Sequence, residues 1–311
     1  MNMKLIWPLF LFIIFSMVAL QVDSIFADQG VAGSDVSSEA DIRVEHTFRH
    51  INASHVANGV ALRNRASGWI HLRGVPSGST VLQAYLYFNF SDTKSNGSDF
   101  YPVLFNGNRL TAGKVADNAD PCWGMGGNHT YRVTVTPFIP TSNPNQDYEV
   151  VPIFGGRVDT TGENPWAGTF PAPNKRFEGA TLVVVYTNEE IIGNTVFIYD
   201  ALSGSEFSSI LTATLLHPFI SGTGLFTMSG ADGQRGGGHD NAFSNETGTF
   251  NGVQFSGPPV AASDWDGSDG LPLPQLWDVH THIVKMDGQA STIIYNAGSD
   301  CLVPVVFILD I

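Results

Sequence analysis

The sequence predicts an all-β fold, a β-sandwich or jelly-roll-like arrangement built as one domain or as two closely packed subdomains. Short apolar or alternating runs follow one another from Ile42 to Ile311, separated by clusters of Gly, Asn, Asp and Pro. No stretch carries a long 3.6-residue periodicity. Charged residues are only 14% of the chain while glycines number 33, a balance that suits β-rich exported proteins better than helical enzymes.

Taken in order, Met1–Ala27 reads as a secretory signal peptide: Lys4 precedes an apolar run from Leu5 to Leu20, and Ala27 offers a small residue at the exit. Residues 28–41 are small and polar and read as a flexible leader, so the folded domain is expected over 42–311. Ser79–Phe90 places Leu82, Ala84, Leu86 and Phe88 on one face of a strand and Tyr85 and Tyr87 on the other. Tyr131–Thr136 alternates Val133 and Val135 with polar residues. Ala180–Tyr186 is a continuous apolar run, as expected of a strand covered on both faces. Thr195–Tyr199, Ser209–Leu216, Trp277–Val284, Ser291–Tyr295 and Val303–Leu309 complete the set, and the last is expected at the centre of the core. An internal boundary is conceivable in the Pro-rich stretch 164–175 (Pro165, Pro171, Pro173).

Export sets the partners and the redox state. Loss of the signal removes Lys4 and Asp23, so the net charge stays at −14. That argues against nucleic acid and anionic membrane surfaces, which need a basic patch. No later segment is apolar enough to span a bilayer as a helix. The two cysteines, Cys122 and Cys301, are expected to pair outside the cytoplasm. The bridge would close a loop of about 180 residues and contribute roughly 5 kcal/mol in the chain-entropy picture.

Several segments together resemble a known family: Leu86-Tyr87-Phe88, Val103–Gly107, Tyr131–Phe138, Glu178–Tyr186, Val196–Asp200, Trp277-Asp278-Val279 and Asp300–Val303. In this order they are similar to an uncharacterised extracellular β-sandwich family of large archaeal and bacterial surface proteins, often found beside stalk repeats. The likeness runs from about Gly59 to Ile311. It implies export, an all-β fold and a surface or adhesion role, and it brings no catalytic residues.

Candidate chemistry is confined to a few clusters. Asp264, Asp266 and Asp269 alternate around Gly267 and Gly270, the pattern by which calcium loops present oxygen ligands, although Gln275 stands where a closing carboxylate is needed. Asp232 and Asp240 flank a second Gly-rich loop of the same kind. Calcium is the one cofactor expected. Asp278, His280 and His282 alternate along one strand and so share a face; with His239 they could ligate a transition metal, and the plainer reading is a solvated polar face. The same string mimics the opening metal motif of amidohydrolase barrels, but too little chain follows to build one. The glycines from 233 to 238 precede no helix, and neither a Gly-Lys-Ser/Thr nor a Gly-x-Ser-x-Gly motif occurs. Trp123, Trp166 and Trp265 sit in loop-like contexts where they either stack on sugar rings or seal the core. Asn52, Asn89, Asn96, Asn128 and Asn245 are glycosylation acceptors wherever the host modifies Asn.

The expectation is an exported, non-catalytic structural or adhesion protein of the cell surface or medium, with itself, other surface proteins or glycans as partners. In a filament, residues from Asp28 to Glu45 are placed to donate a strand to a neighbour. The alternatives are a carbohydrate-binding module and a secreted metal-dependent hydrolase working through His280 and His282.

Overall fold

The computed structural model describes residues 39–63, 65–120, 123–153, 175–203, 206–207, 210–233, 246–255, 265, 267, 276–298 and 301–311. Apart from one 3-10 turn at Thr136–Phe138, its regular elements are strands, arranged in two sheets. The N-terminal pair, β1 (Glu39–Ile42) and β2 (Val44–Ile51), belongs to the second sheet. The first sheet takes the next eight: β3 (Ser54–Ala61), β4 (Gly68–His71), β5 (Thr80–Asp92), β6 (Phe100–Phe105), β7 (Asn108–Asn118), β8 (Gly127–Thr134), β9 (Asp147–Pro152) and β10 (Lys175–Thr187). Their order is β3-β10-β5-β8-β7-β6-β9-β4, antiparallel throughout, and it curls into a nearly closed barrel. The end strands meet closely enough that a Cβ on Gly68 of β4 would lie 2.6 Å from Val60 of β3.

The second sheet is completed by β11 (Thr195–Ala201), β12 (Glu206–Phe207), β13 (Ile210–Ala231), β14 (Thr247–Phe250), β15 (Val253–Gln254), β16 (Trp277–Asn296) and β17 (Cys301–Asp310). It is open, in the order β15-β14-β16-β13-β17-β11-β2, with β1 against β13 and β12 against β17. The sequence expectation of an all-β fold therefore holds, with a nearly closed barrel and an open sheet in place of two equal sandwich layers. The Pro-rich stretch considered as an internal boundary lies, but for Lys175, outside the described residues; β10, which follows it, inserts between β3 and β5.

Alternation explains how each strand serves two cores. In β5, Ala84, Leu86, Phe88 and Phe90 point into the barrel, while Tyr85 and Tyr87 point out against the second sheet. Leu82, expected with the core face, is 39% exposed at the strand's start. The continuous run of β10 divides the same way: Leu182 and Val184 fill the barrel, Val183 and Val185 the space between the layers. All of β17 is buried, with Val305 and Ile308 towards the barrel and Phe307 and Leu309 towards a third core on the far face. Its place between β13 and β11 matches the central position expected of the last strand.

That far core exists because the long β13–β16 pair bends. The register breaks between Leu216 and Ile220, where Pro218 has no N–H for the ladder. Leu211, Ala213 and Leu215 before the break and Phe226 and Met228 after it then face one cluster with Phe197, Tyr199 and Phe307. The Tyr199 hydroxyl donates to the Leu216 carbonyl at 2.7 Å, tying the bent arm to β11. Between the layers, the Trp277 indole lies flat on β10. A Cβ on Gly179 would sit 2.2 Å from it, so only glycine permits that approach.

Candidate functional site

The seam where β1 meets β13 is built from few residues. β1 pairs in parallel, Glu39 with Ile210 through Ile42 with Ala213, and it is the one parallel pairing among the described strands. It occupies an edge of β13 that β17 covers only from Leu225 to Ala231. Ile42 is its buried anchor, 4% exposed and packed into the far core, whereas Asp41 faces out. Full burial of one such side chain stabilises by about 1.5–3 kcal/mol, little to set against ordering the strand. A single residue, Arg43, links β1 to β2. Its N–H donates to Ser203 Oγ at 3.0 Å and its carbonyl accepts from the Leu202 N–H at 2.8 Å, after which β2 pairs with β11. The chain thus changes neighbour within one residue. The structure places Glu39–Asp41, read from sequence as leader, in this strand.

Polar side chains cross from barrel to sheet at several points. The Tyr87 hydroxyl donates to Asp200 Oδ1 at 2.8 Å, and Arg132 pairs with the other oxygen of Asp200 while lying over the Phe48 ring. His55 Nε2 is 2.7 Å from Thr227 Oγ1, and its Nδ1 is 3.7 Å from Asp310, which also accepts from Ser54. Thr181 and Ser229 share a 2.6 Å hydrogen bond, and the Trp277 Nε1–H donates to Thr181. The Trp123 Nε1–H donates to Asp232 Oδ1 at 3.1 Å. Burial, reinforced by the charge on Asp200, pushes the Tyr87 hydroxyl well above its ordinary pKa, so it stays a donor.

Two ionic clusters lie within the barrel strands. Arg63 and Glu178 are both buried, with Arg63 Nη1 2.9 and 3.2 Å from the two Glu178 oxygens and its guanidinium 4.9 Å from the Trp123 ring. Burial raises the Glu178 pKa from 4.5 to about 7, with Arg63 and then Arg176 opposing the rise and Asp120 adding to it. Elsewhere His129, with no exposed surface, lies between Asp117 (2.7 Å) and Asp92 (3.2 Å), which in turn pair with Lys114 and Lys175. Burial alone would raise both carboxyls, but hydrogen bonds outweigh it and hold them below 3.8: from the Lys94 backbone, Lys175 and His129 on Asp92, and from Lys114, Gly97 and His129 on Asp117. Sequence reading missed both clusters. Its available signal was Glu178, a carboxylate opening an otherwise apolar run.

The expected site residues fare unevenly. Asp264, Asp266, Asp269, Asp240, His239, Trp166, Asn245 and Cys122 lie outside the described residues, as does the signal peptide. Asp278, His280 and His282 do share a face, but it turns inward, not to water. Asp278 is fully buried, His280 Nε2 lies 3.4 Å from it, and the His282 ring stacks on Phe255 at 4.5 Å. Among the described residues no three His, Cys, Asp or Glu side chains converge as metal ligands. Trp123 and Trp265 are buried at 8% and 0% exposure, which removes them from reach of a sugar ring. Trp69, passed over in the sequence, stands half-exposed on β4, opposite to the inward Ile70. Asn89 and Asn128 are buried and donate their side-chain amides to one another, so folding closes these two acceptors, while Asn52 and Asn96 are exposed. Cys301 is buried at the start of β17.

Comparison with protein-family models finds no match for this chain, and comparison with curated protein sequences finds none either.

Proposed function

We propose that the chain is an exported, non-catalytic structural protein of the cell surface or surrounding medium, which assembles with copies of itself. The observation that carries this reading is the pinned contact between barrel and sheet. Tyr87 and Arg132 with Asp200, His55 with Thr227, Thr181 with Ser229, and Trp123 with Asp232 each join one layer to the other through buried polar contacts. Groups of the kind that do acid–base chemistry in enzymes here fasten two layers together, as suits a subunit that carries load. The signal peptide and the acidic balance support export and a partner that is not nucleic acid. The resemblance to surface-protein β-sandwiches supports the same role.

The test is negative-stain microscopy of the mature protein purified natively from its host. Ordered filaments or arrays are expected. Isolated particles at all concentrations, particularly if they bind a glycan through Trp69, would overturn the reading in favour of a carbohydrate-binding module.

A further inference from the structure

We propose that β1 is an exchangeable strand: in the assembled protein, residues 39–42 of one copy occupy the β13 edge of another. This rests on the self-assembly reading above and names the contact that makes it. The receiving slot is defined by Ile210–Ala213 of β13 and by the far core beneath, where Ile42 lodges beside Leu211 and Ala213. Every bond and contact that β1 makes there is available to the same strand from another copy, in the same register.

Three features favour exchange. The strand is short and pairs in parallel, while all other described ladders are antiparallel, so it is not one arm of a hairpin with β13. It is joined to β2 through Arg43 alone, and a one-residue link that must redirect the chain between two neighbours is the short hinge that domain swapping relieves. Arg43 and β2 are themselves held by Ser203, Leu202 and β11, so β1 can leave without disturbing the rest of the sheet. Four extended residues reach only about 13 Å, so copies must abut at this seam. That geometry suits a close-packed filament or array.

The experiment uses two full-length variants co-expressed in the exporting host, one carrying Asp41→Cys and the other Thr212→Cys. These positions are register partners; Asp41 is exposed, and at half-buried Thr212 a cysteine puts a side chain of similar size in place of the threonine. After oxidation or treatment with a short bifunctional thiol reagent, exchange yields a covalent species of doubled mass joining one chain of each kind. Such a species is absent when either variant is paired with wild type. A chain carrying both cysteines should give a ladder of covalent oligomers. If the double variant cross-links only within single chains and the mixed variants give no doubled mass, β1 stays with its own chain and the proposal is overturned. Filaments without interchain cross-links would reject exchange and leave self-assembly standing; isolated particles without them would reject both.

Discussion

Replacing Arg63 by methionine should extend to higher pH a loss of stability that buried Glu178 already brings to the protein. The Glu178 carboxyl is pushed from 4.5 to about 7 by burial, against the pull of Arg63 and Arg176. Between those two values the unfolded chain gives up the Glu178 proton and the folded chain keeps it. Stability from this group is therefore fully present below pH 4.5 and is lost as pH rises to about 7. At about 1.4 kcal/mol per pH unit, the loss in the wild type amounts to roughly 3 kcal/mol and then levels off. Without Arg63 the strongest downward pull is gone, so the folded value climbs and the decline continues past neutrality. Methionine retains unbranched bulk under the Trp123 ring and removes the charge. Urea unfolding from pH 4.5 to 9 should show a small deficit for Arg63→Met at the acid end and one that widens as pH rises above 7. Arg63→Met combined with Glu178→Gln should abolish the widening. A deficit of equal size at pH 4.5 and pH 9 would refute the reasoning.

Asp117→Asn should cost about 1.5–3 kcal/mol at pH 6, where the carboxylate accepts from Lys114 and His129, and progressively less as pH falls below 3.8. The sign follows because Asp117 and Asp92 titrate below 3.8 in the fold, so their contribution is present above that value and disappears as pH falls through the folded one; a deficit that persists in acid would contradict it. Gly179→Ala should destabilise by about 1–3 kcal/mol in the same assay, since its Cβ would press on the Trp277 indole, and an unchanged midpoint would mean the indole can move aside. Thiol titration of the denatured, non-reduced mature protein should find no free thiol if Cys122 and Cys301 pair; two thiols would remove the bridge. In a host that modifies Asn, glycopeptide mass spectrometry should find sugar on Asn52 or Asn96 and none on Asn89 or Asn128, whose amides are engaged with each other.

How far the site could be read ahead depended on the range of the interaction. Tyr85, Tyr87 and Leu86 fell on their faces because side-chain alternation is local, and the run Leu182–Val185 announced a strand covered twice for the same reason. Trp277–Val284 and Ser291–Tyr295, read as two strands, are one strand, β16, and Ser209–Leu216 is only the first part of β13, because the long ladder between β13 and β16 tolerates a local register shift between Leu216 and Ile220. The histidine face was located correctly and its surroundings were not. Whether Asp278 and His282 meet water depends on Gly233, which lies against Asp278, and on Phe255, which stacks on His282, both from other parts of the chain.

The sequence by itself determined the strand content, the acidic balance and the buried, central last strand. All of these follow from residue type and period-2 spacing within a few neighbours. Only the tertiary structure decided that the strands divide into a nearly closed barrel and an open sheet, that Arg63 meets Glu178 across 115 residues, and that β1 closes a seam with a strand about 170 residues away. Those outcomes depend on which apolar faces bury one another and on which buried charges then find partners. Such choices are made by long-range packing and desolvation, and no local pattern encodes them.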